Sequence, residues 1–235
     1  MRVQDCNWMQ LEEYLRHDDR IVLPLGSVEQ HAYLSLAVDV ILSERVSVEA
    51  ADPLGVPVLP ALPYGITPYF AAYPGSPTLT VDTYRKVVAE LLDSLYGQGF
   101  RRFLLVNGHG GNDPGKGTAA EWSAGHGDAQ TIWHNWWNAP RTWEVVQSID
   151  PDASHASWLE NFPWTRLAGV EQPDERKPMA DIARMRESDP REVRQQLGDG
   201  SLGGLYERPD EDVLRVWQAG VDEVRNLLQN GWSDA

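Results

Sequence analysis

The chain has a single cysteine, few basic residues for its length and no long apolar run, and each shortage narrows what it can be. One thiol, Cys6, cannot make an internal disulfide, so nothing points to a cross-linked scaffold or an oxidising compartment. No apolar stretch approaches the roughly 18 residues of a membrane span. The opening segment, MRVQDCNWMQLEEYLRHDDR, is charged and lacks the apolar centre of a secretory signal, which places the chain in the cytoplasm. Lys and Arg number 20 against 35 Asp and Glu, a formal net charge of −15. Such a surface repels phosphate backbones and anionic lipid, which argues against nucleic-acid and membrane partners; its plainest role is solubility. Neither a Walker pattern nor G-x-G-x-x-G occurs, so a nucleotide-phosphate loop is a poor reading. Solenoid-length repeats and interdomain linkers are also missing.

What is present fits one α/β domain over residues 1–235. Residues 8–16 predict a short helix, and Ile21 to Leu25 a buried strand ending in GSVEQH. Val56 to Leu62, with two prolines, reads as extended. Residues 80–97 give the clearest helix: Tyr84, Val87, Val88, Leu91, Leu92 and Leu95 share one face, with Asp82 as cap and Gly97 as stop. Phe103 to Val106 predicts a strand ending in NGHGGN, residues 114–124 a helix, and Thr131 to Trp133 a strand ending in HNWW. Residues 170–212 read as a polar surface excursion, and a closing helix runs from Asp212. Strands alternating with helices predict a mainly parallel sheet flanked by helices. Ligands of such sheets sit beyond the carboxyl ends of the strands, where the three His-bearing loops lie.

The loops hold the chemistry. GSVEQHAYLSLAVD offers Glu29, His31 and Asp39 within eleven positions. Residues 29 and 31 can point the same way in an extended segment, and carboxylate plus imidazole suits zinc, manganese or iron(II). Alone, the cluster reads equally as a hydrogen-bonded loop with solvated carboxylates. In NGHGGN, the glycines around His109 let the backbone turn tightly, and Asn107 and Asn112 can pin the loop to backbone groups. SHASWLENFPW adds His155 and Glu160 among aromatics, where a His can serve as general acid or base or simply be satisfied in the core. Ten tryptophans are many for this length. Core and interface packing accounts for most of them; Trp133, Trp136 and Trp158, with Tyr73, are the candidates for substrate contact.

In order and spacing, four segments resemble the creatininase family of amidohydrolases: PLGSVEQH at 24–31, YGITPYFAAYPGSPTL at 64–79, LLVNGHGGN at 104–112 and HASWLENF at 155–162. The resemblance implies an α/β sandwich-like fold, often hexameric, acting on a small-molecule substrate. It implies one or two divalent ions (Zn, Mn or Fe) per subunit, with Glu29, Asp39 and His109 on one, and His31 on a second bridged by Asp39. A metal-bound hydroxide would then attack a carbonyl or amidine-like carbon, and His155 would protonate the leaving group or orient the water. Glu160 would be a metal-side carboxylate or a support for one. The sequence also departs from the family pattern. The segment EQHAYLSLAVD is one residue short and lacks a second His, Ala32 replaces a glycine, and Trp158 and Gly111 stand where a further carboxylate is expected. Creatinine is therefore a doubtful substrate. The resemblance supports hydrolysis of a small cyclic or formylated amide first, C–C hydrolysis of a cyclic polyol diketone second, and a catalytically silent binding or assembly protein third.

Overall fold

The computed structural model describes residues 1–233. A short helix, α1 (Trp8–Tyr14), is capped reciprocally by Asn7 and Gln10 and leads into β1 (Arg20–Leu25). With β2 (Arg102–Asn107) and β3 (Gln130–Asn135), β1 forms a parallel sheet in the order β1-β2-β3. β1 and β2 are apolar nearly throughout because helices cover both faces, whereas β3, QTIWHN, is half-buried. Alternate side chains divide between two cores. Ile21, Leu23, Leu25, Phe103 and Leu105 face one; Val22, Leu104 and Val106 face the other.

The first core is closed by α3 (Val81–Gln98) through Tyr84, Val88, Leu92 and Leu95, and by α4 (Pro114–Gly125) through Ala119 and Trp122. The second is closed by α2 (Val38–Ala51), α5 (Pro140–Ile149) and α8 (Asp210–Asn230). The predicted α/β class, parallel pairing and principal helices are all present. Two details differ in α3. Thr80, not Asp82, caps it by accepting from the Thr83 N–H, and Gly99, at φ +113°, ends it in place of Gly97. Val56 to Leu62 is extended as expected and runs along β1, with Val22 N donating to Pro57 O and Leu59 N to Val22 O. Its prolines withhold ladder donors, so the pairing stays at isolated bridges.

Residues 170–212 do more than decorate the surface. Two short helices, α6 (Ile182–Glu187) and α7 (Pro190–Leu197), bury Met185, Val193 and Leu197 against Phe70 and Tyr73 in a small third core. No helix among the described residues is long and apolar enough to cross a membrane.

The register sets the site. Leu25, Asn107 and Asn135 are aligned across the sheet, so all three polar loops leave from one edge. At the opposite edge, Asp18 receives hydrogen bonds from Arg20 at 2.5–3.0 Å and from Arg102 at 3.2 Å. Burial pushes the Asp18 pKa up, but these hydrogen bonds and charges prevail and hold it below the usual carboxylate range. A depressed folded-state pKa stabilises the fold above about pH 4, the unfolded value, and that stability is lost as pH falls through the folded pKa. Asp18→Asn is therefore expected to cost about 1–3 kcal/mol at pH 7, with the difference from wild type shrinking by pH 3. Urea unfolding at both pH values checks this, and an equal deficit at both would contradict it.

Candidate metal centre

Beyond Leu25, the chain carries Glu29 and His31 across the sheet edge and then turns. Ala32 takes a left-handed φ of +49°, and its N–H bonds the Gln30 side chain. The chain then enters α2, whose first turn holds Asp39, where the helix N-terminus favours negative charge. Beyond Asn107, the β2 loop passes directly against this turn. A Cβ on Gly108 would lie 2.6 Å from the Asp39 carbonyl oxygen, so only glycine permits the approach. Asn107 and Asn112 pin the loop as expected: the Asn107 amide donates to His109 O and to Asn135, and that of Asn112 donates to Gly26 O.

This packing brings together the four residues read as metal ligands. His109 Nδ1 lies 3.2 Å from Glu29 Oε1 and 3.1 Å from Asp39 Oδ2. His31 Nε2 lies 3.1 Å from the other Asp39 oxygen, Oδ1, and 3.6 Å from Glu160 Oε2. Two groups result, Glu29–Asp39–His109 and His31–Asp39–Glu160, each with ligand atoms within 4.8 Å of one another. They meet at Asp39. Glu160 thus stands where the sequence comparison left a carboxylate missing. Ala156, at φ +54°, turns its N–H onto Glu160 Oε2 at 2.6 Å and fixes that carboxylate. Gly111 offers no alternative, since a Cβ there would lie 1.9 Å from Ile66 O and 2.5 Å from His109 Nε2.

The electrostatics test whether a divalent cation fits. Glu29, His31 and Asp39 are at most 3% exposed, a dense charge cluster to bury without a counter-ion. His109 Nε2 lies 2.9 Å from Ile66 O and His31 Nδ1 3.2 Å from Glu29 O, so each ring can donate one N–H to a backbone carbonyl. The remaining nitrogen of each ring is then aimed at carboxylates, the arrangement of a metal-ligating imidazole. His31 Nε2 and Asp39 Oδ2 are buried with no hydrogen-bond partner. Without a metal, only protons could relieve the cluster. Burial opposes charging either imidazole, yet the facing carboxylates raise both pKa values far above the ordinary histidine value. Asp39 moves oppositely: burial pushes it up, but His31 and His109 bring it below the carboxylate range. The donor set fits a divalent cation of the zinc or manganese type.

His155 lies beside the cluster. Its ring stacks on Phe70, with centroids 4.6 Å apart, and its Nε2 lies 2.9 Å from the Gln30 carbonyl and 2.8 Å from the Gln30 side-chain amide nitrogen. Burial, then the neighbouring His31 charge, lowers its pKa to about 4, so it is neutral at pH 7. Nε2 thus faces one acceptor and one donor of Gln30, and Nδ1 lies 3.6 Å from Glu29 Oε1. Glu29, His31 and His155 also form a third converging group. The hydroxyl of Thr67 donates to Glu29 Oε2 and holds that carboxylate from behind.

A cavity of about 850 Å³ opens over the cluster, with Phe70, Trp137, Trp143, Leu159, Arg186 and Leu202 among its walls. The aromatics expected to touch substrate are not among its lining residues. Trp136 and Trp158 are 1% and 0% exposed within the second core, where Trp136 packs edge-on against Trp217. Trp133 packs in the first core and bonds Asn135. Tyr73 supports the third core and reaches Gly198 O. His134, of the HNWW segment, stays within β3 on the second-core side, away from the cavity. Thr67 and Phe70 lie in the YGITPYF segment and Trp137 is the last residue of HNWW, so those motifs, with the tryptophans near the site segments, signalled them; Trp143 and Arg186 had no such signal.

Comparison with known proteins gives a consistent picture. A family profile described as creatininase, creatinine amidohydrolase, matches residues 4–228. Creatinine amidohydrolase of Pseudomonas putida is 31% identical over 114 residues, covering 46% of this chain and 44% of that protein. The 3-dehydro-scyllo-inosose hydrolase of Thermotoga maritima is 28% identical over 109 residues, covering 46% of this chain and 35% of that protein. The match thus spans less than half the length of these relatives. A crystal structure of creatinine amidohydrolase aligns over 100% of this chain and 98% of its own at a TM-score of 0.82 and 21% identity. Structures described as a Zn-Zn form of a creatininase variant and as a manganese creatininase align over 99% of this chain and 98–99% of their own, at TM-scores of 0.79 and 20–21% identity. At such identities the likeness is one of fold.

Proposed function

The chain belongs to the creatininase family, and from that premise we propose that it is a divalent-metal-dependent hydrolase of a small cyclic amide, with two ions sharing Asp39. The observation that carries this reading is the pair of ligand groups meeting on the two oxygens of one buried aspartate. Glu29, Asp39 and His109 would hold one ion, and His31, Asp39 and Glu160 the other. Divalent cations held there would supply Lewis-acid polarisation of a carbonyl and would lower the pKa of the attacking water.

The chain's own groups do the rest. Thr67 and the Ala156 N–H fix the Glu29 and Glu160 carboxylates. Phe70 and Gln30 fix the ring of His155; with Nε2–H on the Gln30 carbonyl, its Nδ1 would accept a proton from the water and return it to the leaving nitrogen. Trp137, Trp143 and Leu159 give the cavity an apolar wall that limits water. The same groups serve a C–C hydrolase if the attacked carbon is a ring ketone. Similarity to the inosose hydrolase supports that second reading, and assays on cyclic imides and cyclic polyol diketones separate the two. A silent binding protein fits poorly, since it has no need for five convergent ligands.

Elemental mass spectrometry of protein purified without chelator is the test. Two ions per subunit are expected, falling to one in Glu160→Gln with the Glu29–Asp39–His109 position still filled. Protein that stays metal-free after loading with zinc or manganese would overturn the reading.

A further inference from the structure

The cavity wall carries a charge that the proposed chemistry leaves unused. Arg186 is the one Lys or Arg side chain on the lining, where the other formal charges are Glu29, Asp39 and Glu160. The chain has 35 acidic residues for 20 basic ones, so most of its cations have a carboxylate to pair with. Arg176 pairs with Asp150, Lys177 with Asp199, and Arg208 with Asp212, whereas Arg184, Arg191 and Arg194 on α6 and α7, like the exposed Arg186, make no ion pair among the described residues. Among the described residues, no carboxylate lies within ion-pair distance of Arg186.

The position of Arg186 is held from below. Asp181 caps the start of α6 by accepting from the Arg184 N–H at 3.0 Å. The adjacent Met185 is 7% exposed and packs in the third core with Phe70 and Tyr73. Phe70 is also the ring on which His155 stacks. A single layer of side chains therefore links the helix bearing Arg186 to the proposed proton-transfer group. Two divalent ions would more than offset the three carboxylates, so they would not repel an anionic substrate from the cavity.

We propose that Arg186 is a specificity residue whose guanidinium binds a carboxylate on the ring substrate, so that the natural substrate is an anionic cyclic amide rather than a neutral one. The fork of N–H donors on arginine matches the two oxygens of a carboxylate. This rests on the hydrolase reading for the identity of the ring, but the binding itself can be tested separately.

The test uses a pair of rings differing only in the carboxylate, dihydroorotate and 5,6-dihydrouracil. Their affinities for the zinc-loaded full chain are measured by calorimetry and their turnover is measured in parallel. The wild type is expected to favour dihydroorotate by roughly 10- to 100-fold, the span of a charged hydrogen bond of about 1.5–3 kcal/mol. In Arg186→Gln this preference should collapse towards unity, and Arg186→Lys should recover part of it; bound zinc reports that each variant is folded. An unchanged preference in Arg186→Gln would overturn the proposal, as would equal binding of the two rings, or no binding of either, by the wild type. If the preference is present and lost as expected but neither ring is cleaved, the assignment of Arg186 stands and the hydrolase reading fails.

Discussion

Asp39→Ala is expected to release both metal ions at once and to lower activity by at least about 10³-fold, since several kcal/mol of charge stabilisation leave with the metal. Oδ1 faces His31 Nε2 and Oδ2 faces His109 Nδ1, so no other side chain belongs to both ligand groups. Without it, one position retains Glu29 and His109, and the other His31 and Glu160. Catalytic zinc sites generally use three protein ligands, and two hold the ion weakly. Asp39→Asn keeps the volume and one acceptor oxygen, and should keep one ion. Elemental mass spectrometry with circular dichroism as a folding control decides the matter. An Asp39→Ala protein that still carried two ions would show that the bridge is not there.

The different fates of particular residues show why some of this was legible in the sequence. Ile21 to Leu25 and Phe103 to Val106 read as buried strands because helices cover both faces, leaving short continuous apolar runs. Their shared edge followed from parallel topology, and so did the meeting of GSVEQH with NGHGGN. Helix α2 could not be read. It is wedged between β1 and α8 with apolar residues around much of its circumference, and its N-cap, Ala37, makes no side-chain bond. The only sign of it was Asp39, recognised as a ligand and not as a helix start. Glu160 was in view without its place, because the left-handed Ala156 folds it back beside His155. Sequence spacing carries no trace of that turn. The tryptophans misled for a related reason: Trp136 and Trp158 are adjacent in sequence to site loops but point into the core behind them. The cavity wall is instead completed by Trp143, Met185 and Arg186 from segments with no motif.

Loss of the His155 side chain should have the opposite signature to loss of Asp39. His155→Ala is expected to keep both ions while kcat falls roughly 10²- to 10⁴-fold, the usual range for general acid–base assistance. Burial lowers the ring's pKa to about 4, so it is neutral at pH 7; its Nε2 is held by the carbonyl and side-chain amide of Gln30, and its Nδ1 lies beside Glu29. That is the state of a base ready to take a proton, held still by Phe70 on one side. The competing possibility is that His155 is itself a ligand, since Glu29, His31 and His155 also converge. Two features argue against that role. Neither of the two carboxylate pairs that flank His31 and His109 brackets His155, which has Glu29 alone at 3.6 Å. Its lowered pKa also contrasts with the raised values of the two imidazoles that face carboxylate pairs. Metal content and single-turnover rate, measured on the same preparation, separate the roles. Full metal with slow turnover identifies the proton-transfer group, whereas loss of one ion together with activity would move His155 into the ligand set.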